Sequence, residues 1–340
     1  GDVFVDPVHN NIVYAATTHG LYKSTDSGQH WKLKNKGLDT GAIRDMDLYY
    51  DSETEEVILY VIDQVFWEPD GNGNIKSSGG IFKSVNRGQN WNNINSEGLR
   101  MNFQRLDDRR SNQLLNKGLS MWLGITWGEA RKRFSKQENI LPMFNRIVVD
   151  PKNPDRIYVT HNPRHTPTTP LDAVWTTENG GKNWFITTRI GYGWEQDASF
   201  WQNRYHPQDV DMTKPNMEFG HRSYTRYDDI KYSRKYGVRA LTINSEGQVL
   251  IMFGQQLLIS KDKGRSWKQM DEIETEPGSN KWVGRGNSNF PGSFISQDPR
   301  ISGQPYISAE EHGLWRVSRD GDKVAPGATA VEYMGVKNIQ

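Results

Sequence analysis

The chain has 340 residues, with 42 Lys and Arg against 41 Asp and Glu and no cysteine. Near-balanced charge argues against a nucleic-acid or acidic-membrane partner, and the missing thiols exclude a disulfide framework and a thiolate metal centre. Only 35% of residues are hydrophobic, yet 12 are Trp, 14 Tyr and 12 Phe, a usage suited to thin sheets plugged by aromatics; no apolar run is long enough to span a membrane as a helix.

The first elements are a predicted hairpin, Val3-Phe4-Val5 and Asn11-Ile12-Val13-Tyr14-Ala15 around Asp6-Pro7, and a short strand at 20–23. That strand runs into Ser24-Thr25-Asp26-Ser27-Gly28-Gln29-His30-Trp31. The same eight-residue frame returns with Ser84, Asn86, Gly88 and Trp91, then with Thr177, Asn179, Gly181 and Trp184, then with Ser260, Asp262, Gly264 and Trp267. Each copy follows a short apolar strand, and a hairpin lies upstream of each, with Asp150-Pro151 repeating Asp6-Pro7. A fifth strand at 313–317 leads into Ser318-Arg319-Asp320-Gly321, which lacks both the Gly spacing and the Trp. Four copies in one frame mark an internal repeat. In each, the Asp or Asn is expected to bond nearby backbone, the Gly to supply a positive φ, and the hydroxyl to brace the loop. The Trp offers a flat apolar face to a neighbouring unit. If that indole is buried between units, its replacement by Ala destabilises the fold and spares ligand binding.

The pattern Ser/Thr-x-Asp/Asn-x-Gly-x-x-Trp resembles the Asp-box (BNR) repeat of β-propellers of the sialidase, glycoside hydrolase family 74 and sortilin kinds. The resemblance covers the repeated strands and leaves out the long insertions. It implies an all-β fold, a β-propeller of four-stranded antiparallel blades. Five blades are legible, at about 1–36, 42–97, 143–189, 236–273 and 293–336, and they are expected to form one domain over 1–340. Six to eight blades are usual in such rings. With a start at Gly1 and no signal peptide, the chain is expected to be processed or part of a larger ring. In the resembling families the repeated turn is a folding device and carries no catalysis.

Strand parity divides the connections. If strands A to D alternate in direction, both repeated turns lie on one face, and the B–C and D–A connections lie on the other. That second face is expected to receive 63–79, 98–142, 161–172, 190–236 and 274–292. Such long segments are more often functional than decorative, subunit contact being the plain alternative. Within 98–142, Thr126 is expected to cap a helix over 128–136 whose Arg131-Lys132-Arg133 forms a solvated face.

The densest chemistry is in 190–236. Tyr192, Trp194, Trp201 and Tyr224 offer faces for sugar rings; Arg204, His206 and Arg222 suit hydroxyl or acid groups. Glu195, Asp197, Asp228, Asp229 and His221 are the catalytic candidates, since glycoside cleavage needs two carboxyls about 5–10 Å apart and a lyase needs a His or Tyr base beside a cation. Trp67, His161, Arg164 and Arg285 are further ligand candidates on the same face. Asp70-Gly71-Asn72-Gly73-Asn74 has the opening of a calcium loop, but the twelfth position is Ile81, so a glycine-rich turn is expected. No metal site or cofactor is predicted.

Two functions follow. The first is a secreted, carbohydrate-active propeller that binds and cleaves a glycan or polysaccharide on the insertion-bearing face, as a hydrolase or a lyase. The second is a non-catalytic propeller that holds a protein partner there. A true sialidase is disfavoured, because the Arg-Ile-Pro of that family is absent. With no Asn-x-Ser/Thr sequon, an extracellular or periplasmic bacterial protein is expected.

Overall fold

The computed structural model describes residues 2–72, 74–100, 119–121, 123–133, 141–161, 174–189, 209–218, 238–253, 256–274, 276, 281–284, 292–297, 305–309, 313–320 and 323–332; beyond 276 it describes backbone course only. The first sheet is β1 (Val3–Val5), β2 (Val13–Thr17), β3 (Gly20–Ser24) and β4 (Lys32–Leu33). The second is β5 (Ile43–Asp51), β6 (Glu56–Pro69), β7 (Ile75–Ser84) and β8 (Asn92–Asn93). The third is β9 (Phe144–Asp150), β10 (Asn153–His161), β11 (Val174–Thr177) and β12 (Phe185–Ile186). In the fourth, β13 (Met217–Glu218) lies outside β14 (Val238–Ile243), β15 (Val249–Phe253), β16 (Gln256–Ser260) and β17 (Trp267–Gln269). The fifth contains β18 (Glu272–Glu274), β19 (Lys281–Gly284), β20 (Gly292–Gln297), β21 (Pro305–Ala309), β22 (Gly313–Asp320) and β23 (Lys323–Glu332). Apart from β13, which runs parallel to β17, every neighbouring pair is antiparallel. The five units legible in the sequence are five sheets of a β-propeller.

Period-2 alternation decides which sheet each side chain meets. Along β6, Val57, Leu59 and Val61 join Tyr14, Ala16 and Leu21 of the first sheet in one core. The intervening Ile58, Tyr60 and Ile62 join Phe144, Ile147, Val159 and Trp175 of the third in the next. A third core sets Tyr158 and Val174 against Val238, Val249, Ile251 and Leu258. A strand buried on both faces reads as a continuous apolar run, as 57–62 does.

The repeated turns share one hydrogen-bond pattern. Ser24, Ser84, Thr177 and Ser260 each accept the N–H of the Gly four residues on, at 2.7–2.9 Å, and donate to the Asp or Asn two residues on. That Asx oxygen accepts the N–H four residues ahead, at 2.9–3.0 Å. Positive φ falls on two successive residues, for example Arg87 at 55° and Gly88 at 78°. The A–B and C–D turns lie together, with the Ser27 N–H on the Asn11 carbonyl and the Gly180 N–H on the Asp155 carbonyl, both at 2.9 Å.

Three expectations need correction. Most of 63–79 is ladder: β6 and β7 continue as a long hairpin, pairing Trp67 with Ser77 and Pro69 with Ile75 after a bulge. The turn beyond closes on Asp70, whose carboxylate accepts the N–H groups of Asn72 and Asn74. In 274–292, β18 and β19 add to the edge of β23, so this stretch widens the fifth sheet. In the fifth unit, Asp320 pairs directly with Lys323, because a chain without the Ser–Asx–Gly frame turns tightly and keeps its ladder. In the expected helix, α1 is described over Trp127–Arg133, one residue earlier at its start than expected, and Thr126 and Glu129 cap it reciprocally.

Candidate functional site

Of the ligand candidates named from sequence, Tyr192, Trp194, Glu195, Asp197, Trp201, Arg204, His206, His221, Arg222, Tyr224, Asp228, Asp229, Arg164 and Arg285 lie outside the described residues. His161 ends β10, where its backbone pairs with Phe144. Trp67 corrects the expectation: it is 1% exposed, packed with Val65, Ile75, Leu119, Ala130 and Leu141, and its Nε1 donates to the Leu141 carbonyl at 3.0 Å. The reason is that Leu119, Ala130 and Leu141, described residues of the 98–142 insertion, pack against the long β6–β7 hairpin and put this Trp in the core.

Other acids of the long insertion are held by neighbours. Asp209 bonds the Arg265 guanidinium at 2.8 Å. Asp211 is bound by Thr213 and Lys214, which hold its carboxyl down at about 2. Glu218 pairs with Lys268 at 3.5 Å on the outer strands.

The described groups with chemistry to offer sit instead at the start of the inner strands, the end that receives the D–A connections. On β5, Asp45 and Asp47 project toward β9. Asp45 Oδ2 accepts the Ile147 N–H and Asp47 Oδ2 the Val149 N–H, each at 2.8 Å. These bonds join two sheets that share no ladder, and they match two residues on β5 to two on β9. Around them, Arg44 Nη2 donates to Asn145 Oδ1 at 2.7 Å, and Arg146 Nη1 lies 3.5 Å from Asp45 Oδ1. The Asp2 carboxyl, just ahead of β1 in the first sheet, stands close enough to Asp45 to act on it. Three consecutive blades therefore meet at one carboxyl.

Burial pushes Asp45 up to about 7, the Asp2 carboxyl adds to the rise, and the Ile147 N–H and Arg146 oppose it. Burial raises Asp47 to about 6 against the Val149 and Leu48 N–H groups. Residues two apart on a strand share one face, with about 6.6–6.8 Å of rise between them, so both carboxyls lie along the same side of β5, facing β9. Among the described residues no three His, Cys, Asp or Glu side chains gather as a metal site.

Raised carboxyls give stability a definite pH dependence. An unfolded Asp titrates near 3.9. Between about pH 4 and 7 the native Asp45 retains a proton that the unfolded chain has released, and Asp47 does so up to about 6. Their contribution falls as pH rises through this window and is level above it. The Tm difference between the native chain and Asp45→Asn/Asp47→Asn should therefore shrink or change sign from pH 4.5 to 7.5. A constant difference would contradict the raised values.

Sequence reading missed a fifth position of the repeat, the polar residue four after each Trp. Asn35, Asn95, Thr188 and Asp271 accept the N–H of Leu21, Ile81, Val174 and Leu257 at 2.8–3.0 Å, where strand C begins. Their constant offset from Trp was a usable signal. Asp45 and Asp47 offered no local signal, because their partners lie about 100 residues away.

No family model and no curated protein matches the sequence. Among solved structures, an ancestral GH74 enzyme aligns over 98% of this chain and 38% of its own, at 12% identity and TM-score 0.40. YCF48 bound to D1 peptide aligns over 96% and 84%, at 10% and 0.34. An auxiliary nutrient binding protein from Bacteroides thetaiotaomicron aligns over 96% and 55%, at 10% and 0.36. The chain thus spans about two fifths of the first of these. No helix among the described residues is long and apolar enough to cross a membrane. By its strand order and the packing of its successive sheets, the chain is a β-propeller.

Proposed function

We propose that this is a secreted, carbohydrate-active propeller of the Asp-box kind, extracellular or periplasmic, forming one domain over 1–340 and acting on a glycan at the ends of the inner strands. The observation that carries this reading is Asp45, a 6% exposed carboxyl that accepts the Ile147 N–H across the blade junction, is raised to about 7 by burial and the Asp2 carboxyl, and stands two residues from Asp47. A carboxyl that keeps its proton near neutrality is suited to protonate a leaving oxygen; a second, ionised one can activate water or attack. In this reading Asp45 is the acid and Asp47 the base, with Arg44 and Asn145 beside the sugar hydroxyls. Residues 190–236, with Glu195, Asp197, His221, Asp228 and Asp229, supply the remaining ligand contacts and acid groups.

The test is a polysaccharide panel assayed for reducing ends and for the ultraviolet absorbance of unsaturated lyase products. Asp45→Asn keeps an oxygen for the Ile147 N–H, so it should fold normally and lose about 10²–10⁴ in kcat. Cleavage that persists at the native rate in Asp45→Asn removes Asp45 from the chemistry. A panel with neither cleavage nor binding sinks the carbohydrate reading.

One feature favours a second reading. Both carboxyls already bond backbone N–H groups across the blade junction, as scaffold groups would. In that case the same face holds a protein partner without catalysis, and Asp45→Asn leaves binding intact.

A further inference from the structure

The long β6–β7 hairpin carries a small helical platform at the end of the second blade where Asp45 lies. Ile43, the first residue of β5, pairs with Asp63, so the rungs from Phe66 to Pro69 project beyond β5. Against them sits α1. Its Ala130 is 0% exposed and packs with Trp67, Ile75 and Leu119 in the core shared by the second and third blades. The end of the same insertion is pinned as well: the Leu141 N–H donates to Ser77 Oγ at 3.0 Å, and the Leu141 carbonyl accepts the Trp67 Nε1–H. Leu141 leads into β9, which carries Asn145 and Arg146. Core contacts therefore hold α1 on the end of the blades that bears the proposed site.

The outer side of this helix has a definite chemistry. Trp127 is 43% exposed, and the Arg131 guanidinium, one helical turn on, lies 5.7 Å from its ring centroid. Lys132 and Arg133 follow, both exposed. Glu129, the one carboxylate of α1, is taken up by the Thr126 N–H and hydroxyl. Arg131 and Lys132 have no ion-pair partner among the described residues. Met121, in the helical turn before, is 72% exposed. An exposed cation–π contact adds little to stability, so folding alone does not account for an indole held open beside cations.

We propose that α1 is an accessory subsite for an acidic polysaccharide, with Trp127 as the platform for one sugar ring and Arg131 and Lys132 as donors to its carboxylate or sulfate. The inference rests on the carbohydrate-active reading and names its substrate class. The apolar face of a sugar ring lies flat on an indole, and a guanidinium offers two parallel N–H donors to a carboxylate or sulfate. Indole and guanidinium one turn apart on a fixed helix meet a ring and its acid group together. A membrane does not fit this surface: an interfacial helix sinks a whole apolar face into lipid, whereas α1 is seven residues long and turns Ala130 inward. Nucleic acid does not fit either, because its phosphates call for a wide basic field and the chain carries 42 Lys and Arg against 41 Asp and Glu.

Binding of the native chain to polygalacturonate, chondroitin sulfate, a neutral β-glucan and phosphatidylserine vesicles tests the subsite. An acidic polysaccharide should bind about tenfold or more tightly than the neutral glucan, and less tightly as salt rises. Trp127→Ala and Arg131→Gln/Lys132→Gln should each weaken that binding about tenfold, the worth of one contact to a charged or stacked group, with Tm unchanged; Trp127→Tyr should keep most of it. On a cleaved substrate these variants raise KM and keep kcat, whereas Asp45→Asn lowers kcat. Acidic polysaccharides that bind through Trp127 without ever being cleaved would uphold the subsite and sink the catalytic role of Asp45. Cleavage of neutral glycans alone, unchanged in the α1 variants, would do the reverse. Native affinity in the variants, a lower Tm without lower affinity, or no binding of either acidic polysaccharide overturns the proposal. Vesicle binding in place of glycan binding overturns it too and makes an anionic lipid surface the occupant.

Discussion

Trp267→Ala should destabilise the protein by about 3–5 kcal/mol, the range for truncating a buried aromatic. Trp267 is 0% exposed, packs in the core that joins the third and fourth sheets, and donates its N–H to Thr187 at 2.9 Å. Truncation leaves a cavity at a junction where no ladder can compensate. It also frees a carbonyl that Asn216 Nδ2, at 2.8 Å, already shares. Trp267→Phe separates the contributions: it keeps most of the apolar contact and should cost about 0.5–1.5 kcal/mol, the net worth of one hydrogen bond, because Asn216 still satisfies the Thr187 carbonyl. Trp184→Ala should behave alike, with its indole equally buried and bonded to Ile94. Denaturant unfolding measures these differences. A loss under about 1 kcal/mol in Trp267→Ala would mean that the junctions do not hold the sheets together. Ligand affinity of the folded fraction should not change, since these indoles belong to the scaffold.

The second large effect is expected at Gly37. Its φ is +101°, and a Cβ there would drive into the carbonyl of Trp91. The Lys36 carbonyl accepts the Trp91 N–H at 2.9 Å, so the linker lies flat against the next blade. Gly37→Ala imposes left-handed strain, about 1–3 kcal/mol, and overpacking against a backbone that cannot swing away, about 1–3 kcal/mol. A total of about 2–5 kcal/mol should appear as a lower unfolding midpoint. Gly71→Ala is the control: φ is +81° there too, but nothing lies within 4 Å of the added methyl. If Gly37→Ala costs no more than Gly71→Ala, the close approach of linker and blade is wrong. Gly98 has the same contact with Trp184 in the next junction, so the spacing is a repeated device.

The proposed site and scaffold overlap at Asp45, and this overlap organises the functional experiments. The carboxyl joins the second and third blades through Ile147 and meets the first through Asp2. Burial makes it a proton carrier near neutrality and also makes its loss a stability question. Asn is the informative replacement because it preserves the oxygen facing Ile147. A variant that unfolds at the native midpoint yet releases no sugar separates the two roles.

What sequence alone determined is what short-range bonds determine. The repeated turn closes within five residues through Ser24, Asp26 and Gly28 and their counterparts, so an eight-residue frame declares it wherever it recurs. The alternation of Val57 to Ile62 and the antiparallel order A to D follow from the same local pattern, and with them the β-propeller. Tertiary structure decided everything that depends on a neighbour. Only the packed insertion turns Trp67 from a surface aromatic into core. Only the blade order shows that three indoles find carbonyls of the preceding sheet while Trp31 turns back to the Gly28 carbonyl of its own turn. Asp45 and Asp47 look like ordinary strand acids until β9, about 100 residues on, supplies their N–H partners and removes their water. Proximity across such a gap is set by how sheets stack, and a stacking order leaves no trace in the spacing of residues.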